Sequence, residues 1–264
     1  MRTAVALTFA LSYVREAKLA RALGEDTLHR ARRVLGPHDA MTLWGAAALT
    51  RALADLGDAE PARALGEDTL HRSRRALGPD HLITLGAAAA LIGALADLGD
   101  AESARVLGED TLRRSRRVLG PDHRATLGVA AVLTFALAQL QEVESARPLG
   151  EDTLQRSRRV FGPDHPTTLW AAVALTRALA DLGHAEPARA LGEDTLHRSR
   201  QIFGADHLIT LWAAGTLTRA LADLGDAEPA RALREDTLHR SRRVLGPQHP
   251  ITLYLARTSG GPAL

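Results

Sequence analysis

The segment Leu23-Gly24-Glu25-Asp26-Thr27-Leu28 decides the fold, together with the arginine-rich run and the Gly-Pro pair that follow it. The segment begins again at positions 65, 107, 149, 191 and, with Arg234 in place of the glycine, 233, always 42 residues further on and without insertion or deletion. A fixed period of this length marks a protein built from repeated supersecondary units. One such unit cannot bury its apolar face alone, so neighbouring units must stack against each other.

Each period contains two helical patterns joined by short turns. Apolar residues recur in the second unit at three- and four-residue steps, namely at Leu43, Ala46, Leu49, Leu53 and Leu56. This spacing places them on one buried face of a helix. Gly57 ends that helix, and Asp58 is expected to cap a second helix over about 59–77. We therefore predict an all-α fold, a right-handed α-solenoid of helix-turn-helix hairpins.

The period also sets the expected boundaries, a single solenoid over residues 1–257 with a flexible tail at 258–264. The repeats are expected at about 1–36, 37–78, 79–120, 121–162, 163–204 and 205–246, with a closing helix at 248–257. The apolar start of the chain could be a signal peptide. We interpret it as the first helix of a repeat, because Leu7 and Leu11 are in register with Leu49 and Leu53.

The lead-in between hairpins predicts where helices stop and start. Gly78-Pro79 should end one helix, and Asp80 is expected as the N-cap of the next. In the fourth repeat Pro148 falls beyond the first turn, where proline removes a backbone hydrogen bond. We expect that helix to begin late, near Arg147, or to kink there.

A stripe of small residues runs along the second helix of each hairpin. In the second unit its members are Ala62, Gly66, Thr69 and Ser73. Glycine costs about 1 kcal/mol against alanine inside a helix, so its presence calls for a compensating contact. The stripe predicts that another helix approaches this one closely.

Composition argues against several functional classes. The formal net charge is only +2 and the sequence has no cysteine, so thiolate metal sites and a cysteine nucleophile are excluded. Acidic residues interleave with the arginine runs, which argues against nucleic acid as the partner, and no apolar stretch suits a membrane. We expect a cytoplasmic protein without catalytic residues, metal or cofactor.

Two repeated groups of polar residues could suggest chemistry. A histidine recurs once per repeat, as His81, His123, His165, His207 and His249. The copies are too far apart to share an ion, and a structural role at the turn between repeats is favoured. The Glu67-Asp68 pair and its copies each have an arginine four residues away, which favours an ion-paired surface over acid–base catalysis.

The chain resembles the tetratricopeptide repeat family. The segment from Leu56 to Ala62 is similar to the turn of its hairpin, and Ala62 with its copies falls on the small-residue position of the second helix. The period and the lead-in over 162–169 resemble the longer kinesin-light-chain type, which in bacteria is often attached to signalling proteins of the STAND class. Gly66 departs from the pattern, since the family has an aromatic residue there. The resemblance implies a superhelix whose concave wall of first helices binds peptides or proteins.

Pairs of aromatic and basic residues seven positions apart lie on one side of several first helices. With the aspartates four residues further on and the aromatic residues at the arginine position, the predicted contact residues are Trp44, Arg51, Phe135, Trp170, Arg177, Asp181, Trp212, Arg219 and Asp223, and Phe9 occupies the arginine position of the first unit. Tryptophan and arginine are frequent binding hot spots. The alternative is that each tryptophan packs against the next hairpin and each arginine pairs with the aspartate four residues on.

These patterns predict a non-enzymatic scaffold that binds a protein or an extended peptide with acidic and aromatic side chains. We expect it to act as the recognition arm of a bacterial signalling system. The alternative is a structural module that assembles with itself, as a homo-oligomer through the ends of the solenoid, because apolar end faces without polar caps favour association.

Overall fold

The computed structural model describes residues 17–257, with side chains from Leu19 onward except that of Val143. The helix expected before residue 17, Phe9 within it and the tail expected at 258–264 lie outside the described residues.

Helices make up all the regular secondary structure in residues 17–257, as the repeat pattern predicted. The twelve helices in this range are α1 (Ala17–Val34), α2 (Ala40–Asp55), α3 (Ala59–Leu77), α4 (Leu82–Leu98), α5 (Ala101–Val118), α6 (Arg124–Gln139), α7 (Val143–Phe161), α8 (Pro166–Asp181), α9 (Ala185–Phe203), α10 (Leu208–Asp223), α11 (Ala227–Val244) and α12 (Pro250–Arg257). Even-numbered helices are the first helices of hairpins, and odd-numbered helices are the second.

Helix packing follows the order of the hairpins inside each of two compact units, Met1–Ala136 and Leu137–Leu264, whose division falls within α6. In the first unit α2 packs on α1, α3 and α4, and α4 packs on α3 and α5. In the second unit α8 packs on α7, α9 and α10, and α10 packs on α9, α11 and α12. Each hairpin thus stacks on the next, which is the packing of an α-solenoid. Continuity of one solenoid across the division stays a prediction.

Histidine is the N-cap of α4, α8 and α10, whereas Asp39 is that of α2, so the expectation that Asp80 is the N-cap is wrong. The N-cap of α4 is His81, whose Nδ1 accepts a hydrogen bond from the backbone N–H of Ile83 at 3.2 Å. The same bond recurs at His123, His165, His207 and His249. The structural role expected for these histidines is confirmed.

Asp80 instead ties the start of one helix to the end of its hairpin partner. Its carboxylate accepts from Arg114 at 3.0 Å and from Arg117 at 2.7 Å, both on α5. Asp206 repeats this arrangement with Arg240 and Arg243. The arginine runs therefore serve in part to close each hairpin.

The stripe of small residues provides the close approach that the sequence predicted. A Cβ built on Gly66 of α3 would lie 3.0 Å from Cδ1 of Leu91 on α4 and 3.1 Å from Cγ2 of Thr50 on α2. A Cβ on Gly108 would lie 2.9 Å from Cδ1 of Leu133. Glycine therefore allows α3 and α5 to pack at contact distance against neighbouring first helices.

The expected late start of α7 is wrong, because this helix begins at Val143. The N–H groups of Ser145 and Ala146 donate to the carbonyl of Glu142 at 3.1 and 3.0 Å and fix the first turn. Pro148 lies inside the helix, where its nitrogen has no hydrogen to donate to the carbonyl four residues earlier. The kink at Pro148 stays a prediction.

Glycines at the two kinds of position should respond differently to a methyl group. We expect Gly108→Ala to be less stable than Gly86→Ala by about 1–3 kcal/mol, because overpacking offsets the gain in helix propensity only at Gly108. Gly86 is the control, since a Cβ there would meet no atom within 4 Å. Urea unfolding of both variants measures the difference, and equal stabilities would contradict the packing argument.

The turn before α7 carries a second prediction. Gln141 has φ 59°, whereas the equivalent turns use Gly57, Gly99, Gly183 and Gly225. A left-handed conformation is unfavourable for a residue with a Cβ. We therefore expect Gln141→Gly to raise the free energy of unfolding by about 1 kcal/mol and Gly99→Gln to lower it. Thermal unfolding would contradict this if both substitutions shifted the midpoint in the same direction.

Candidate binding surface

First helices are buried almost all round, and what remains accessible lies on one side of each helix. Over 168–180 of α8 every residue is buried except Trp170 and Arg177, which are half-buried. Over 84–97 of α4 the half-buried residues are Gly86, Ala89, Gly93 and Asp97. These positions are three, four and seven residues apart, so each set lies on one side of its helix.

We use the name first-helix line for the positions equivalent to Trp44, Arg51 and Asp55. Its members are Trp44, Arg51 and Asp55 in α2; Gly86, Gly93 and Asp97 in α4; Gly128, Phe135 and Gln139 in α6; Trp170, Arg177 and Asp181 in α8; Trp212, Arg219 and Asp223 in α10; and Tyr254 in α12. All the predicted contact residues belong to this line. The structure brings those of α8 and α10 into contact with each other.

Each arginine on the line is bonded to the aspartate four residues further along its helix. The Nε–carboxylate distances are 2.9 Å for Arg51–Asp55, 3.0 Å for Arg177–Asp181 and 3.0 Å for Arg219–Asp223. This is the pairing that the alternative interpretation of these arginines predicted. The arginines therefore serve structure first, and any ligand would meet a guanidinium that is already oriented.

The two arginines of the second unit differ in accessibility. The side chain of Arg177 is 15% exposed and that of its partner Asp181 only 5%, whereas that of Arg219 is 44% exposed. Nη1 of Arg219 also lies 3.9 Å from Asp181. Burial lowers the pKa of Arg219, but the charges of Asp223 and Asp181 outweigh it, and the pKa is raised. Arg219 is the cation that this part of the line presents to solvent.

Aromatic rings form a series along the line in the second unit. Ring centroids are 6.4 Å apart between Trp170 and Trp212 and 6.0 Å apart between Trp212 and Tyr254. Trp212 is only 5% exposed, so its neighbours cover it, while Trp170 stays half-buried. Phe135, in the first unit, is also buried.

Tyr254 was missed by the sequence reasoning. Cζ of Arg177 lies 4.9 Å from the centroid of its ring, so α8 and α12 meet across α10. Burial raises the pKa of the Tyr254 hydroxyl. The available signal was its position, 42 residues after Trp212.

The line has a different character in the first unit. A Cβ on Gly86, Gly93 or Gly128 would meet no atom within 4 Å. Gly93 occupies the position that an arginine takes in α2, α8 and α10, so Asp97 has no arginine one turn before it on its own helix. Burial raises the pKa of Asp97 to about 8, and the Asp55 carboxylate adds to this while Arg51 opposes it.

Other kinds of site find little support in the described part of the chain. Within residues 17–257 no three histidine, aspartate or glutamate side chains are grouped so that they could hold a metal ion. None of the helices in that range has the length and apolarity needed to cross a membrane.

Asp97 should make stability depend on pH. Because folding raises its pKa, the folded state keeps a proton that the unfolded chain releases between 3.8 and about 8. The free energy of unfolding should therefore fall as the pH rises through this window. We expect Asp97→Asn to remove this pH-dependent loss of stability. The melting temperature of the variant should therefore exceed that of the wild type at about pH 9 but not at about pH 5.

Circular dichroism at both pH values measures this effect. Asp223→Asn is the control, because it removes an exposed aspartate bonded to Arg219 and should bring no gain at high pH. A difference between Asp97→Asn and the wild type that is the same at both pH values would contradict the prediction.

Comparisons with known proteins agree with this architecture. Two models described as tetratricopeptide repeat match the chain, one over residues 129–198 and the other over 42–82, 93–125 and 210–251. No curated protein matches the sequence.

Similar solved structures share the fold at low sequence identity. A putative kinesin light chain from Podosopora anserina with nearly identical TPR-like repeats is 22% identical over 76% of this chain and 95% of that chain, with a TM-score of 0.57. BtubC (BKLC) from P. vanneervenii is 18% identical over 94% of both chains, with a TM-score of 0.60. NprR, solved in complex with its cognate peptide NprX, is 14% identical over 97% of this chain and 71% of its own, with a TM-score of 0.70.

The repeat models together match most of the chain, and the stacked hairpins provide the corresponding packing. Kinesin-light-chain-like proteins are among the structures with the same fold. The chain belongs to the tetratricopeptide repeat family.

Proposed function

We propose that this protein is a non-catalytic scaffold that binds a protein or an extended peptide along the first-helix line of α8, α10 and α12. The observation that carries the proposal is the cluster of Trp170, Arg177, Arg219 and Tyr254, in which aromatic and cationic groups lie side by side. NprR, which has a similar fold, was solved with a peptide bound. That likeness supports the kind of partner, while the residues of the cluster belong to this chain.

The chemistry of the cluster favours a ligand with acidic and aromatic or apolar side chains. Arg219 donates to Asp223 through Nε, and its terminal nitrogens make no hydrogen bond to the described residues. They can therefore form the paired hydrogen bonds that guanidinium makes with carboxylates. Trp170 offers a half-buried ring for an apolar contact. We further propose that the protein acts in the cytoplasm, as the recognition arm of a larger signalling system.

Peptide selection from a displayed random library against the purified chain tests this proposal. Selected peptides should be enriched in acidic and aromatic residues, and Arg219→Ala should weaken their binding about tenfold, the equivalent of 1.4 kcal/mol. Calorimetry or fluorescence anisotropy measures the affinity. Arg177 is a poor target, since its removal would leave the nearly buried Asp181 with only the 3.9 Å approach of Arg219 and destabilise the fold.

The matched control is Arg231→Ala. Arg231 lies on α11, pairs with Glu228 at 2.6 Å and is 58% exposed, but it does not belong to the first-helix line. It should leave peptide affinity unchanged. Failure to select any peptide, or equal affinity for the two variants, would contradict the proposal.

Self-assembly is the alternative, and it is measured on the same protein. Light scattering at increasing concentration distinguishes a chain that stays monomeric from one that associates. A mass that grows with concentration, together with no selected peptide, would favour the structural module.

A further inference from the structure

The accessible stripe of α4 is a shallow trough that ends in a carboxyl group. Its floor consists of Gly86, Ala89 and Gly93, and Asp97 follows one turn after Gly93. Neither glycine position has an atom within 4 Å of where a Cβ would lie. Seven residues of helix extend about 10 Å, so the floor has room for a long side chain laid along it.

The other hairpins show what this position binds. In α2, α8 and α10 the aspartate of the line accepts a hydrogen bond from an arginine four residues earlier. In α4 that arginine is replaced by Gly93, and no atom lies within 4 Å of where a Cβ on Gly93 would be. The chain itself thus provides three examples of the same carboxylate position with a bound cation.

No other group in the described residues takes the place of the absent arginine. Asp97 makes no salt bridge or hydrogen bond through its side chain within residues 17–257. The charged groups that face it from α2 are Asp55 and Arg51, and Arg51 donates its Nε to Asp55. Two carboxyl groups therefore lie near one guanidinium, and Asp97 holds a proton that a second positive charge would displace.

We propose that Asp97 and the trough over Gly93 form a subsite for a cationic side chain, arginine or lysine, of the bound peptide or protein. The subsite rests on the proposed function and extends it to the first unit. The head group pairs with Asp97, and the apolar stem lies along the glycine and alanine floor, as the stems of long basic side chains do on apolar surfaces. A divalent ion fits less well, because it needs several oxygen ligands and Asp55 is already bonded to Arg51.

A small probe tests the subsite directly. We expect N-acetyl-arginine amide to shift the backbone amide resonances of α4 in an NMR titration, and the uncharged N-acetyl-citrulline amide to shift them much less. Asp97→Asn should weaken binding of the arginine probe about tenfold, a change of 1.4 kcal/mol. No binding to the wild type, equal binding of both probes, or unchanged binding to Asp97→Asn would overturn the proposal.

A substitution that supplies the arginine provides an independent test. Gly93→Arg should abolish binding of the probe and raise the melting temperature, and the rise should be smaller when Asp97→Asn is present as well. Gly128→Arg is the matched control, because Gly128 is another open position of the first unit but has no aspartate four residues later. It should keep probe binding. The subsite would be overturned if the Gly93→Arg variant bound the probe as the wild type does. It would also be overturned if Gly93→Arg raised the melting temperature equally with and without Asp97→Asn.

The same measurements distinguish failure of the subsite from failure of the proposed function. Selected peptides that bind Asp97→Asn with wild-type affinity but lose affinity for Arg219→Ala would overturn the subsite alone. If the arginine probe binds at Asp97 but Arg219→Ala leaves the affinity for every selected peptide unchanged, the subsite is supported and the proposed surface on α8 and α10 is contradicted.

Discussion

The close contact between a glycine on a second helix and a leucine on the next first helix, present at Gly66, Gly108 and Gly192, is the constraint on which the stacking depends. At Gly66 a methyl group would lie 3.0 Å from Leu91, and at Gly192 it would lie 3.1 Å from Leu217. Packed interiors leave little room to adjust to such overlaps. Within each compact unit the contact positions successive first helices in equivalent ways, so that equivalent residues such as Trp170 and Trp212 come to lie next to each other.

The first-helix line shows how a repeat can carry function without losing its fold. Where arginine and aspartate both occur, they neutralise each other, and Asp181 can be buried at 5% exposure because Arg177 pairs with it. Departures from the pattern are informative, because each one changes one member of an arrangement that is known from the other copies. Gly93 removes a guanidinium from beside Asp97, whereas Tyr254 keeps an aromatic ring where α10 has Trp212.

Sequence reasoning predicted what depends on neighbours along the chain. The period, the alternation of helices and the role of Gly66 follow from spacing and side-chain size. The predicted N-cap of α4 was wrong, because Asp80 and His81 can both accept a backbone hydrogen bond and only the geometry of the turn decides between them. The contact of Arg177 with Tyr254 could not be predicted, since it joins α8 to α12 across an intervening helix and depends on how sharply the hairpins turn.

One copy of the repeat departs from the pairing of glycine with leucine, and it departs at both positions. Glycine on the second helix is paired with leucine 25 residues later, as Gly24–Leu49, Gly66–Leu91, Gly108–Leu133, Gly150–Leu175 and Gly192–Leu217. In the sixth copy both members change together, to Arg234 and Ser259. Arg234 is half-buried on α11, where a long side chain would exclude the close approach seen in the other copies. Glycine is therefore kept where a leucine must pack against it and is lost where that leucine is absent, which is what a contact requirement predicts and a simple helix propensity does not.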